Sequence, residues 1–197
     1  MSVADRIRIR EIRLLSDDWY VLRKATFDWL RGDGAWQTVS REAYDRGDGV
    51  ALVPYNRAAR TVVLVRQFRY PAYSNGLDDL MIEAPAGLLD DAAPEARIRD
   101  EVEEETGYRL GRVEKVATCF MSPGAVTEKL WLYIAEYEPG MRAGQGGGVE
   151  VEGEDIEVLE LPFSEAMAMI GRGQIVDAKT IILLQHLALT AFAGPVA

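Results

Sequence analysis

The densest run of chemistry-bearing side chains in this 197-residue chain is Arg99-Asp100-Glu101-Val102-Glu103-Glu104-Glu105-Thr106-Gly107. On a helix, Glu101, Glu104 and Glu105 are related by the i, i+3 and i+4 spacings, so their carboxylates share one face. Like charges at these spacings each cost roughly 0.2–0.5 kcal/mol, and acidic groups in the last turns oppose the helix dipole by about 0.3–1 kcal/mol each when exposed. A divalent cation reverses both penalties, because clustered hard oxygen donors are what Mg2+ or Mn2+ requires. A solvated acidic face accounts for the same run without a ligand. Context favours the ligand, since the helix is entered from the turn Ala84-Pro85-Ala86-Gly87, where glycine permits close backbone approach.

The surrounding elements can be read from periodicity and punctuation. Pro94 stands at a first-turn position of a helix running to about Thr106, with Gly107 as its stop. Val50–Pro54 and Thr61–Phe68 are apolar, β-branched runs expected to be central strands, and Met81–Ala86 is a third short extended segment. Strand signals return at Val113–Phe120, Leu130–Tyr137 and Ile156–Leu161. Ser164 could cap a short helix to Ile170, and Asp177 a longer one to about Phe192. Met141–Glu152, with three consecutive glycines at Gly146–Gly148, reads as a mobile surface loop. Strands interleaved with a few helices indicate an α/β layered domain. Ahead of it, Ile7–Asp45 reads as a charged meander of alternating strands turning at Arg31–Gly34. Trp19, Trp29 and Trp36 lie in that meander. Either they form a packed satellite core, or the meander docks on the main domain or a second subunit.

Composition narrows the function classes. The 22 basic and 32 acidic residues give a net charge of −10, which repels polyanionic backbones and disfavours general nucleic-acid binding. Cys119 is the only cysteine, so no intramolecular disulfide forms and cysteine-rich metal centres are excluded. No stretch reaches the ~18 uninterrupted apolar residues of a membrane span, and the first residues lack the apolar core of a signal peptide. A cytoplasmic location is expected.

Gly87 to Tyr108, GLLDDAAPEARIRDEVEEETGY, resembles the signature box of the Nudix hydrolases. Its back half matches from Glu101 to Tyr108. The spacing from Gly87 to Gly107 is one residue short, Ala92-Ala93 stands where the box has a glutamate, and Asp100 stands where it has an arginine. VVLVRQFR at Val62–Arg69, EAPAGLLD at Glu83–Asp90 and Pro123, sixteen positions after Gly107, resemble the nucleoside-diphosphate-sugar branch. The shortened box, MSPGAVTE at Met121–Glu128, the glycine triplet, EDIEVLELPFSEA at Glu154–Ala166 and DAKT at Asp177–Thr180 are similar to the GDP-mannose pyrophosphatase subgroup. The resemblance implies a Nudix α/β/α sandwich with a mixed sheet over residues 48–197. It also implies an N-terminal antiparallel β-sheet element over residues 1–47, which contributes to substrate binding and to a homodimer. The implied reaction is Mg2+-dependent hydrolysis, Mn2+ being a possible substitute, of GDP-mannose to GMP and mannose 1-phosphate. An ADP-ribose pyrophosphatase and a non-catalytic nucleotide-binding module are the alternatives.

The same resemblance implies residue roles. Glu101 and Glu105 would be metal ligands, completed by the backbone oxygen of Ala86 and by Glu154, while Glu104 is either a third helix ligand or an outward carboxylate. Glu154, beside the glycine-rich loop, is the candidate general base, with Glu128 second; Glu128 is otherwise a substrate contact or a solvated strand-end residue. Arg69 would contact phosphate, as its planar fork of donors suits it to do. Lys179 in the first turn of a helix opposes the dipole, which makes sense if an anion binds there. Ala86 and Gly87 would line the substrate. Trp19, Ser40, Arg41 and Glu42 would contact the nucleotide, Trp19 by stacking and the others by polar recognition, or else are ordinary strand residues.

Overall fold

A computed structural model of the chain describes residues 2–89, 92–149, 151 and 153–193. Asp90, which ends the EAPAGLLD stretch, and Glu152, which ends the glycine-rich loop, lie outside the described residues. The chain divides into two compact units, Met1–Asp48 with Phe120–Lys129, and Gly49–Cys119 with Leu130–Ala197.

In the first unit, β1 (Ile7–Asp17), β2 (Val21–Leu30) and β3 (Trp36–Asp45) form the expected antiparallel meander. The loop Phe120–Lys129 joins it, with the Tyr44 N–H donating to the Ala125 carbonyl at 2.8 Å and the Thr127 N–H to that of Tyr44 at 3.0 Å. No satellite core forms, as none of the described residues before Gly49 is fully buried. Two of the indoles are instead covered by cations: the Arg6 guanidinium lies 4.4 Å from the Trp29 ring centroid and that of Arg8 3.9 Å from Trp36. Trp19 is 83% exposed.

The second unit is built on a mixed sheet. Its strands are β4 (Gly49–Asn56), β5 (Thr61–Gln67), β6 (Met81–Glu83), β7 (Ala86–Leu88), β8 (Glu114–Phe120), β9 (Lys129–Glu136) and β10 (Glu157–Pro162). The order is β10-β5-β4-β9-β8, with β4 and β9 parallel. The helices are α1 (Tyr70–Ser74), α2 (Pro94–Thr106), α3 (Phe163–Gly171) and α4 (Ala178–Leu189). Every residue of β4 is buried, as a strand covered on both faces must be. Val50 and Leu52 pack with Ile98 and Val102 of α2 and with Tyr133 and Tyr137, in one apolar cluster. On the opposite face the Tyr55 ring meets Phe192, which also packs on Phe163, while Leu183, Leu184 and Leu187 of α4 are fully buried. Three layers, α/β/α, result.

One irregularity of the sheet matters for everything that follows. β4 and β5 pair only at Tyr55↔Val62 and Asn56↔Thr61, then splay apart. β6 pairs with β5 on one side of the gap, and β7 pairs with β4 on the other. The extended segment expected over Met81–Ala86 is therefore two short strands. Pro85 has no N–H with which to continue a ladder, so the chain crosses there from one strand to the other, its carbonyl accepting from the Leu52 N–H at 3.0 Å. Among the described residues no helix is long and apolar enough to cross a membrane.

Candidate active site

Helix α2 begins at Pro94 and ends at Gly107, whose φ of 78° is the left-handed conformation that glycine adopts without strain. Its buried face consists of Ile98, Glu101, Val102, Glu105 and Thr106. Two glutamates thus share the apolar stripe, whereas Glu103 and Glu104 point outward with side chains about two-fifths exposed. Burial drives the Glu105 carboxyl well above its ordinary proton affinity; repulsion from Glu101, Glu83 and Glu154 adds to this, and the Ala86 N–H, donating at 3.2 Å, offsets it in part. The β6–β7 crossing brings Gly87 against Glu101. A Cβ at Gly87 would lie 1.5 Å from Glu101 Oε1, so only glycine admits the carboxylate in this position.

The loop expected over Met141–Glu152 lies at the surface, residues 142–146 being exposed, and its glycine triplet is tied to α2. The Gly147 and Gly148 N–H groups donate to the Glu105 and Glu104 carbonyls at 2.9 and 3.2 Å, satisfying acceptors that a helix end leaves open. Gly146, at φ 71°, lies so close to the last turn that a Cβ would come within 2.4 Å of the Glu105 carbonyl oxygen. The loop then turns Glu154 back on itself, Oε2 accepting from the Val149 N–H at 2.9 Å.

Beside this cluster lies a charge network centred on Glu83, whose two oxygens take one cation each, Arg69 Nε at 2.7 Å and Lys179 Nζ at 2.6 Å. Burial pushes the Glu83 carboxyl up, but Lys179 and Arg69 together outweigh it and hold the group below its ordinary value. Lys179 also stands 3.1 Å from Asp177 Oδ1, while Asp177 Oδ2 caps α4 by accepting from the Thr180 N–H. The cation at the start of α4 is thus balanced within the chain by Glu83 and Asp177. The Thr180 hydroxyl donates to Asp177 and accepts from the Ala84 N–H at 2.6 Å, which pins the β6–β7 crossing to α4.

In the first unit, Trp19 stands edge-on to Tyr20, and Ser40 Oγ lies 2.9 Å from Thr26 Oγ1. Arg41 and Glu42 line a cleft of about 590 Å³ with Phe120, Pro123, Gly124 and Val126. Glu128 pairs with Arg46 at 3.5 Å.

The donor set Glu101, Glu105 and Glu154 offers hard oxygens, and the repulsion that Glu101 and Glu154 exert on the buried Glu105 is what a dication would relieve, so these residues fit Mg2+ or Mn2+. As placed, no three such side chains among the described residues form a group that could hold an ion, and each carboxylate is held by a donor of the chain itself. For Glu101 that donor is Arg97 Nη2.

A family model described as the GDP-mannose pyrophosphatase NudK N-terminal domain matches residues 6–44. A GDP-mannose pyrophosphatase of Pectobacterium atrosepticum is 56% identical over 181 residues, 91% of this chain and 93% of the relative. The chain belongs to the GDP-mannose pyrophosphatase family of Nudix hydrolases. Other members are similar over the same extent: that of Cronobacter sakazakii is 53% identical over 90% of this chain and 92% of its own length, and that of Escherichia coli O1:K1 is 47% identical over 95% and 98%. A solved structure titled crystal structure of ADP compounds hydrolase superposes with a TM-score of 0.71 over 93% of each chain at 15% identity, which shows a shared fold.

Within this member of the GDP-mannose pyrophosphatase family, three side chains of the site carried no role in the sequence reading. Glu83 could have been found as a carboxylate inside an apolar extended run, since a buried charge demands partners. Arg97 could have been found from its i, i+4 relation to Glu101. Nothing local marks Thr180, whose partner Ala84 is 96 residues away.

Proposed function

We propose that this protein hydrolyses the diphosphate of GDP-mannose, releasing GMP and mannose 1-phosphate, with Mg2+ as its ion and Mn2+ as a substitute. The observation that carries the reading is the buried pair Glu101 and Glu105 on α2, set against the Gly87 backbone and beside Arg69 and Lys179. Relatives that match nine-tenths of the chain and carry the name GDP-mannose pyrophosphatase supply the substrate. Glu101, Glu105 and Glu154, with the Ala86 carbonyl as a further donor, would hold the ion, whereas Glu104, on the exposed side of α2, is the outward carboxylate of the two alternatives. When bound, it would neutralise charge on the phosphate oxygens and acidify a water. Arg69 and Lys179 would meet the diphosphate with fixed cations, Glu83 keeping both in register. Glu154 would leave the Val149 N–H and accept the proton of the attacking water, with Glu128 as the second candidate.

Residues 1–47 form the substrate and dimerisation element in this reading, and residues 48–197 the hydrolase domain. Trp19, Ser40, Arg41 and Glu42 would bind the guanine nucleotide, Trp19 offering an open stacking face. A homodimer is supported by β1, an 11-residue edge strand with exposed Ile9, Ile12, Leu14 and Leu15, since an uncovered apolar edge invites pairing. A cytoplasmic enzyme suits a lone free cysteine. The test is a panel of nucleotide sugars with and without Mg2+. GDP-mannose should be the best substrate and should yield GMP only with the ion; preferential release of AMP from ADP-ribose, or no release at all, would refute the assignment.

A further inference from the structure

The GDP-mannose pyrophosphatase reading leaves one cation of the site without a task. Arg97 lies one turn before Glu101 on α2, its Nη2 on Glu101 Oε1, its Nε donating to the Leu88 carbonyl at 3.1 Å and its Nη1 3.9 Å from Glu104. The box that this sequence resembles places an arginine at position 100, where this chain has Asp100. In this chain the guanidinium on the carboxylate face of α2 is that of Arg97.

We propose that Arg97 is the resident counter-cation of Glu101 and sets the affinity of the site for its divalent ion by competing with it. This rests on the metal-site reading given above. Glu101 is 7% and Glu105 1% exposed. Two carboxylates buried this deeply repel one another, and a cation in contact with one of them offsets the cost of burying it. Glu83 has Arg69 and Lys179 for this purpose, and Glu105 accepts from a backbone N–H. Arg97 supplies the charge for Glu101. An ion held by the Glu101 carboxylate would have to displace the guanidinium from it. The Arg97 side chain is one-quarter exposed, so it can swing outward toward the half-exposed Glu104 when displaced.

The experiment is calorimetric titration of Mn2+ into the full-length protein, freed of metal, at mildly alkaline pH. Removing the competitor in Arg97→Gln should tighten Mn2+ binding at least ~3-fold, the size expected for loss of a partly buried ion pair. Arg97→Lys, which keeps the charge, should bind near the parental Kd. Arg97→Met, which keeps the apolar stem, should tighten like the glutamine variant and guards against a packing artefact. A merely structural role would weaken binding and lower Tm, so the gain in affinity separates the two. Equal or weaker binding in both neutral variants would overturn the proposal while leaving the metal site standing. Absence of Mn2+ binding by the parent would overturn the metal site and this proposal with it.

Discussion

Gly87→Ala is the substitution whose consequence the structure fixes most closely. The new Cβ would lie 1.5 Å from Glu101 Oε1 and 1.9 Å from its Cδ. Non-bonded carbons and oxygens approach to roughly 3.5 Å, so the carboxylate must withdraw by about 2 Å. The backbone itself can accept alanine, because Gly87 does not lie among the positive-φ glycines. Stability should fall as well, because separating an ion pair whose carboxylate is 7% exposed costs up to about 3–5 kcal/mol, of which replacing glycine where the backbone accepts alanine returns only about 0.4–1 kcal/mol. Activity should not escape, since a 1 Å misplacement of a catalytic group can cost about 10²-fold. We expect GMP release from GDP-mannose, followed by chromatography at saturating Mg2+, to fall at least ~10²-fold in kcat in protein that circular dichroism shows to be folded. A variant that folds normally and turns over within about threefold of the parent would show that the Glu101 carboxylate is not needed where the structure puts it.

Other expectations follow the same logic. Glu105→Gln should lower kcat by at least ~10²-fold with the fold intact in circular dichroism, because the buried ligand is lost while its volume is kept. Glu83→Gln should destabilise by about 3–5 kcal/mol in urea, since two cations are left around a neutral group that is 2% exposed. The Glu83 carboxyl is held below its ordinary value when folded, so the unfolded chain binds its proton first as pH falls. Its contribution is therefore complete above the ordinary carboxylate range and is lost as pH drops through the folded value, and the parent should lose more stability than Glu83→Gln over that acid interval. Light scattering at micromolar concentration should give the mass of a dimer, and Leu14→Lys on β1 should shift it to the monomer; a monomeric parent would remove that role from β1.

Much of the site was legible because helix α2 announces itself locally. Pro94, Gly107 and the glutamate spacings need no tertiary information, and they located the helix and put Glu101 and Glu105 on one face. Spacing alone could not tell that this face is the buried one, or that Glu104 turns away from it, since that depends on Ile98 and Val102 meeting β4. The glycine triplet shows a different limit. Glycine is used both where a chain must move and where it must approach another backbone, and composition does not distinguish these; here Gly146 and Gly148 press on α2 and Glu154. Lys179 read as an anomaly at a helix start because its partner, Glu83, is 96 positions away. The split between β4 and β5 was invisible for the same reason, although Pro85 marked the place where the chain crosses.

The central claim is that the carboxylates on α2 grip a divalent ion, and anomalous diffraction tests it most directly. Crystals grown with GMP and soaked in Mn2+ should show an anomalous peak about 2.0–2.3 Å from carboxylate oxygens of Glu101 and Glu105, with Glu101 released from Arg97. A fully occupied nucleotide with no anomalous density beside those two side chains would contradict the account.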